Sequence, residues 1–282
     1  MEVKFVAEVS SNHNKDINRC FSFIECAAGL GCHAVKFQLF RVGELFAPEI
    51  LSRSKDHRDR VNWELPLDFL PELSKLCKSL DIQFSCTPFY IKAVEELFPF
   101  VDFYKIASYE LLWNDLLKEC AQTGKPIVLS TGMATLEEIS RAVNILHGSG
   151  CDDLTLLHCV SGYPTPLNEC NLAAIKTIRR HFGCDTGWSD HSVNEGIIYR
   201  AVHCWGATMV EFHLDLDGRG DEYKTGHCWL PEKIKPVIGT IRDGCKADGT
   251  GEKIPSPSEL TDREWRADPL DGLRPLIHKR TM

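Results

Sequence analysis

Short apolar runs recur along this chain, separated by longer segments whose apolar positions return every three or four residues. The runs are Phe5–Val9, Ala34–Phe40, Ile82–Ser85, Phe103–Ala107, Ile127–Leu129, Leu154–Leu157, Asp185–Trp188 and Met209–Phe212. Each has the length of a buried strand, and the segments between them have helical spacing. Ile17–Gly29 carries Ile17, Phe21, Ile24 and Ala28 on one face, and Leu67–Leu80 repeats the pattern after Pro66. Thr135 and Glu138 form a capping-box signature ahead of Ile139, Ala142, Val143 and Leu146, with Gly148 and Gly150 as the stop. Asn171–His181 and Gly196–Trp205 complete the helices. Strand-then-helix alternation predicts parallel strands with crossover helices. The expected fold is therefore α/β, a single-domain (β/α)8 TIM barrel.

The polar residues that end these strands sharpen the picture. They are Glu8, Lys36 and Gln38, Thr87, Lys105 and Ser108, Ser130, His158 and Ser161, His191, and His213. A barrel gathers the C-terminal ends of its strands around one mouth, so residues distant in sequence would converge on one pocket.

Between the second and third strands, Ser52–Arg60 reads either as a solvated loop or as a lid. The barrel is expected to span residues 1–248, with 249–282 a proline-containing tail packed on it and too short for a second domain. The length of 282 residues suits one such barrel. A formal charge of −8 argues against a general nucleic-acid binder, which needs a basic face. No apolar stretch reaches the length of a membrane span, and the first residues run directly into a strand, so neither anchor nor signal peptide is expected. Thirteen cysteines without paired spacing suggest reduced thiols and a cytoplasmic location.

His191 and His213 end two neighbouring strands, where two imidazoles could hold a divalent metal or could simply be hydrogen-bonded. Lys36 and Lys105 sit inside apolar strands and need anionic partners: a ligand, or Glu8 and Glu110. A Schiff-base lysine is a third reading. The hydroxyls of Thr87, Ser108, Ser130 and Ser161 would extend two lysines into an anion cradle, and Pro164 and Pro166 would aim Tyr163. Ser11–Asn14 offers either turn formation or substrate contact. His227 and Cys228 could bind metal, but a loop packed by Trp229 is the preferred reading.

The segments Ala7–Asn14, Ala34–Gln38, Tyr104–Ser108, Lys125–Met133, Leu157–Cys159, Tyr163–Pro166, Asn171–Leu172 and Ser189–His191 together resemble the sialic acid synthase (NeuB/SpsE) family, in the family's order, from about residue 5 to about residue 242. The resemblance implies a phosphoenolpyruvate-dependent condensation with an N-acetylated hexosamine, N-acetylmannosamine-like, giving a nine-carbon 2-keto sugar acid and phosphate. It implies Mn2+, or another divalent ion such as Mg2+ or Co2+, on His191 and His213. It implies that Lys36, Thr87, Lys105, Ser108, Ser130, Ser161 and Ser189 hold phosphoenolpyruvate, and that Glu8, Gln38, Tyr163 and Glu222 face the sugar, with Glu8 relaying a proton. Homodimers are known in the family, whereas no nucleic-acid or membrane partner is implied. The chain departs from the pattern in reading Gly220-Asp-Glu-Tyr223 after strand eight and Ser161-Gly162 before Tyr163. An antifreeze-like domain that carries a sugar-binding arginine in the family is not expected here, which leaves Arg58, Arg60, Arg266 or Arg274 to replace it. The same chemistry on another aldose, or a barrel that binds ligand without turnover, are the alternatives.

Overall fold

The computed structural model describes residues 2–280. Eight parallel strands close into a barrel: β1 (Lys4–Glu8), β2 (Ala34–Leu39), β3 (Gln83–Pro88), β4 (Phe103–Ile106), β5 (Ile127–Ser130), β6 (Leu154–Cys159), β7 (Asp185–Asp190) and β8 (Met209–Leu214). Closure comes from β1 against β8, in a register that sets Glu8 beside both Lys36 and His213. Eight helices follow: α1 (Ile17–Leu30), α2 (Leu70–Ser79), α3 (Ile91–Leu97), α4 (Asn114–Gln122), α5 (Leu136–Gly148), α6 (Ala174–Phe182), α7 (Glu195–Tyr199) and α8 (Pro231–Ala247). The predicted TIM barrel is the observed one. It forms one compact unit through Asp243, and the residues from Gly244 on form a small unit of their own. In that smaller unit the buried Asp268 accepts from the backbone N–H groups of Leu270 and Ile277.

All eight predicted runs are strands, but several extend further toward their C-terminal ends than the apolar pattern does. β3, β6, β7 and β8 take in Thr87, His158, Ser189 and His213. Hydrophobicity marks where a strand is buried in oil, whereas the ladder of backbone hydrogen bonds continues as long as neighbouring strands keep pace. Helix starts shift for identifiable reasons. Asn171 adopts a left-handed backbone (φ 41°), so α6 begins only at Ala174. A 3-10 turn over Leu67–Phe69 precedes α2, whose first turn holds Pro71. The capping box of Thr135 and Glu138 forms as predicted. α7 ends at Tyr199 and passes into a π-helical turn, Arg200–Cys204.

The stretch after β2 is neither a bare loop nor one helix. Val42–Leu45, Pro48–Arg53 and Lys55–Asp59 are short helices, and Arg60–Trp63 is a 3-10 turn. The Trp63 indole donates to Asp221, in the segment after β8, at 3.1 Å. A two-residue strand, β9 (Cys228–Trp229), pairs in parallel with the tip of β8. No described helix is long and apolar enough to cross a membrane, and all thirteen cysteines are free thiols.

One layer of the barrel interior is apolar: Val6, Ala34, Phe103, Val128, Leu157 and Met209. Gly187 belongs beside it, because β6 and β8 close in so tightly there that a Cβ would strike the carbonyl oxygen of Met209 and lie 2.6 Å from a Leu157 methyl. The first of these neighbours is backbone and cannot rotate away. Gly187→Ala should therefore destabilise the fold by about 3 kcal/mol, read as a drop of several degrees in Tm. Gly148→Ala, in open space on α5, should leave Tm unchanged or slightly raised.

Candidate functional site

Side chains on a strand alternate between barrel interior and helix layer, so residues two apart stack along the inside. Two positions beyond the apolar floor the interior becomes charged and polar: Glu8 above Val6, Lys36 above Ala34, Lys105 above Phe103, Ser130 above Val128, Cys159 above Leu157, Ser189 above Gly187 and Glu211 above Met209. Cross-strand register holds them level, with Glu8 opposite Lys36, Cys159 opposite Ser189, and Ser189 opposite Glu211. This layer lies at the C-terminal face, where barrel enzymes carry their chemistry.

Both lysines are buried, and both are paired. Lys36 forms a short ion pair with Glu8, lies 3.8 Å from Glu211 and donates to the Thr87 hydroxyl at 3.3 Å. Lys105 meets Glu211 at 3.4 Å. Gln38 donates to Glu8 at 2.8 Å, and Ser189 to Glu211 at 3.1 Å. Burial opposes ionisation of Glu211 and of both lysines, yet Glu211 is held below the usual carboxylate range because Lys105 and Lys36 outweigh burial. Lys36 is raised because Glu211 and Glu8 outweigh its own burial. Lys105 is lowered, since burial and the neighbouring Lys36 outweigh Glu211.

Glu211 is the residue that the sequence reading missed. Its signal is its spacing: it stands two residues before His213, on the same face of a strand. The expected pairing with Glu8 holds for Lys36, but the pairing with Glu110 does not occur. Burial instead pushes Glu110 up to about 8, only partly countered by Lys105, and one of its carboxylate oxygens has no hydrogen-bond partner.

Serine hydroxyls border this layer. Ser108 accepts from the N–H of Gly132 at 2.9 Å and contacts the Cys159 thiol at 3.1 Å. The buried hydroxyls of Ser130 and Ser161 have no partner within the protein. A Cβ on Gly132 would run into Ser161, Ser108 and Cys159, so this glycine keeps the space between three polar side chains clear. Buried polar atoms left unpaired are costly, which points to a polar ligand as their partner.

Above lies a cluster of imidazoles. The ring of His191 is centred 5.3 Å from that of His213, and His213 is 4.6 Å from His227. Tyr163 packs against all three, at 4.2, 6.2 and 4.9 Å. His191 Nδ1 donates to the carbonyl of Val160 at 2.8 Å, leaving Nε2 with its lone pair. Burial, and then the neighbouring His213, lower His191 to about 3, so it is neutral at physiological pH.

Glu222 was expected to face the sugar. Its carboxylate instead turns to His213 Nδ1 at 3.0 Å and His227 Nε2 at 3.6 Å, while Ser10 donates to its other oxygen at 2.5 Å. The reading of a loop packed by Trp229 holds for His227, which lies in the loop ahead of a buried Trp229, whereas Cys228 is already in a strand. Cys228 begins β9 directly beside His213 in register, and the Trp229 indole anchors β9 by donating to the buried Asp190 at 2.9 Å. Ser11–Asn14 proves to be turn structure with a bracing role. Asn12 donates to the Leu214 carbonyl at 3.1 Å and accepts from the Glu222 N–H at 3.0 Å, tying the loop after β1 to that after β8. Of the arginines suggested for the sugar, Arg60 lies over the rings of Phe46 and Trp63, and Arg58 donates to the carbonyl of Leu51.

A pH signature follows from Glu110. Its carboxyl holds a proton in the fold up to about pH 8 but loses it near the ordinary carboxylate range once unfolded. The native state thus binds more protons across that window, and its stability should fall as pH rises from about 5 to about 8. Glu110→Gln removes the term, so the Tm of the variant relative to the parent should climb over the same range and level off above it.

Comparison with known proteins agrees with the barrel fold. The NeuB family model matches residues 23–253. The N,N'-diacetyllegionaminic acid synthase of Campylobacter jejuni is 36% identical over 269 residues, covering 90% of this chain and 80% of that protein. The pseudaminic acid synthase of Helicobacter pylori is 30% identical over 279 residues, covering 95% and 82%. Among solved structures, the N-acetylneuraminic acid (sialic acid) synthetase of Leptospira borgpetersenii, in complex with citrate, superposes with a TM-score of 0.83 at 30% identity, covering 94% of this chain and 92% of that one. With its barrel and most of its length matched, the chain belongs to the NeuB family.

Proposed function

We propose that the protein condenses phosphoenolpyruvate with the open-chain form of an N-acetylated amino sugar, N-acetylmannosamine-like, to give a nine-carbon 2-keto sugar acid and phosphate. The observation that carries this reading is the layer of two buried lysines and unpaired hydroxyls beneath a cluster of three histidines. Related synthases are named for legionaminic, pseudaminic and N-acetylneuraminic acids, which supports the reaction class while leaving the acceptor open.

Lys36 and Lys105 supply the positive charge for a phosphate and a carboxylate. Thr87, Ser108, Ser130 and Ser161 donate to the same oxygens, beside Ser189 held on Glu211, which gives the unpaired hydroxyls of Ser130 and Ser161 their partner. The apolar floor closes the barrel below, so these charges act in a medium that screens them little. Glu8 and Gln38, hydrogen-bonded to each other, face the acceptor with Tyr163.

A divalent ion fits the donor set: imidazole nitrogens at His191 and His213, with Glu222 and His227 at hand. When bound, Mn2+, Mg2+ or Co2+ supplies Lewis-acid polarisation of the sugar's aldehyde oxygen. The enol carbon of phosphoenolpyruvate bonds to the aldehyde carbon, and the alkoxide so formed takes a proton, relayed by Glu8. Water adds at carbon two of the resulting cation and gives up its proton to Glu8 or Glu211, the two carboxylates of the layer. The carbon–oxygen bond to phosphate then breaks, and the departing phosphate takes the proton of the hydroxyl at carbon two, leaving the keto acid.

With Mn2+, phosphoenolpyruvate and a panel of N-acetylated aldoses, at least one sugar should release phosphate and yield a product with the summed mass of phosphoenolpyruvate, sugar and one water, less phosphate. No release from any sugar, with a known synthase active alongside, would sink the proposal. Lys105→Met removes one charge-assisted contact and should lower kcat/KM for phosphoenolpyruvate by about 10–100-fold. The KM of the sugar should hardly move. An equal rise in both Michaelis constants would argue against Lys105 as a phosphoenolpyruvate ligand.

A further inference from the structure

The strand pair β8–β9 creates a donor set that neither strand has alone. One ligand atom each from His213, Glu222, His227 and Cys228 lies within 4.8 Å of the others. Glu222 is 3.0 Å from His213 and 3.6 Å from His227. Four-coordinate ions with bonds of about 2.0–2.3 Å keep their ligand atoms roughly 3.3–3.8 Å apart, so little movement is needed to close this set around one ion.

Each donor except His213 also has an outer partner that leaves its ligating atom available. Thr225 holds His227 Nδ1 at 2.5 Å, leaving Nε2 toward Glu222. Ser10 takes one Glu222 oxygen, leaving the other. Asn12 points an N–H at the Cys228 sulfur, 3.6 Å away, a contact that supports a thiolate. His213 is itself fixed by its place beside Cys228 in the β8–β9 register. His191 lies outside this set but adjacent to it, its ring centred 5.3 Å from that of His213.

We propose that the metal centre of this protein is a mixed nitrogen, oxygen and sulfur site formed by His213, Glu222, His227 and Cys228, with His191 as a further donor, and that it takes a zinc-class ion in preference to Mg2+ or Mn2+. The inference rests on the condensation reading only for what the metal would do there; of the ions named for that reading it keeps Co2+, sets Mg2+ and Mn2+ behind it, and adds Zn2+. Sulfur is the discriminating atom. Thiolate favours zinc, cobalt and iron, whereas Mg2+ and Mn2+ favour carboxylate, carbonyl and water. Binding as a thiolate releases the Cys228 proton to solvent. The Tyr163 ring against His191 and His227 covers one side of the site.

The test is made on the whole chain, stripped with chelator and reloaded, with no substrate present. Titrated Co2+ should raise an intense near-ultraviolet thiolate-to-cobalt band that saturates at one equivalent. Cys228→Ser, checked for folding by circular dichroism, should abolish that band. It should also weaken Zn2+ binding at least about tenfold, with Mn2+ affinity nearly unchanged. Zinc-edge X-ray absorption of the unmodified protein should show one sulfur at about 2.3 Å, a readout that no folding defect can obscure. A first shell of nitrogen and oxygen only, absence of the cobalt band, or equal loss of Zn2+ and Mn2+ affinity in Cys228→Ser would each overturn the inference. Since every readout is of metal binding, the sulfur signature in a chain that releases no phosphate would retain this centre and remove only the condensation reading.

Discussion

Two lysines and two glutamates buried in one layer of a barrel are the constraint around which the rest of the molecule is arranged. Each charge alone would be prohibitively costly so far from water, and removal of one partner from such a group typically costs about 3–5 kcal/mol. The layer is tolerable because Lys36 contacts both Glu8 and Glu211 while Lys105 contacts Glu211. That compensation depends on register. A slip of one residue in β1, β2, β4 or β8 would turn its charge outward and leave its partner stranded. The apolar layer beneath serves the same end by sealing the barrel and fixing the height of the charges.

The same register governs the histidine cluster. His213 stands two positions beyond Glu211, and His191 two beyond Ser189, so the imidazoles rise directly from the charged layer. β9 then brings Cys228 alongside His213. Its position depends on Asp190, a buried carboxylate that accepts from the indoles of both Trp188 and Trp229. Asn12 makes the corresponding brace from the other side of the β1–β8 seam. Structural hydrogen bonds one step removed from the chemistry thus decide which donors meet.

Local signals were faithful where a local cause operates. Strand cores follow burial, the Thr135 cap follows its own side chain, and lysines in apolar strands announced that anionic partners exist. Which partners they are was misread in part. Glu110 follows β4 closely in sequence but is directed elsewhere, whereas Glu211 lies across the barrel from Lys105 in chain order and meets it in space. Glu222 was assigned to the sugar on family pattern, and only the fold shows its carboxylate committed to His213 and His227.

The sequence by itself determined the barrel, the strands and the chemical character of their ends, because alternation and helical spacing are imposed residue by residue by burial. It also marked two of the three clustered histidines as a pair. Only the tertiary structure decided that Glu211 unites both lysines, that Glu222 is a hub, and that Cys228 and His227 join His213. Those facts depend on closure of β1 against β8 and on the pairing of a two-residue strand. Such contacts join residues far apart in the chain, and their energy resides in the register between strands, which no periodicity within a single segment encodes.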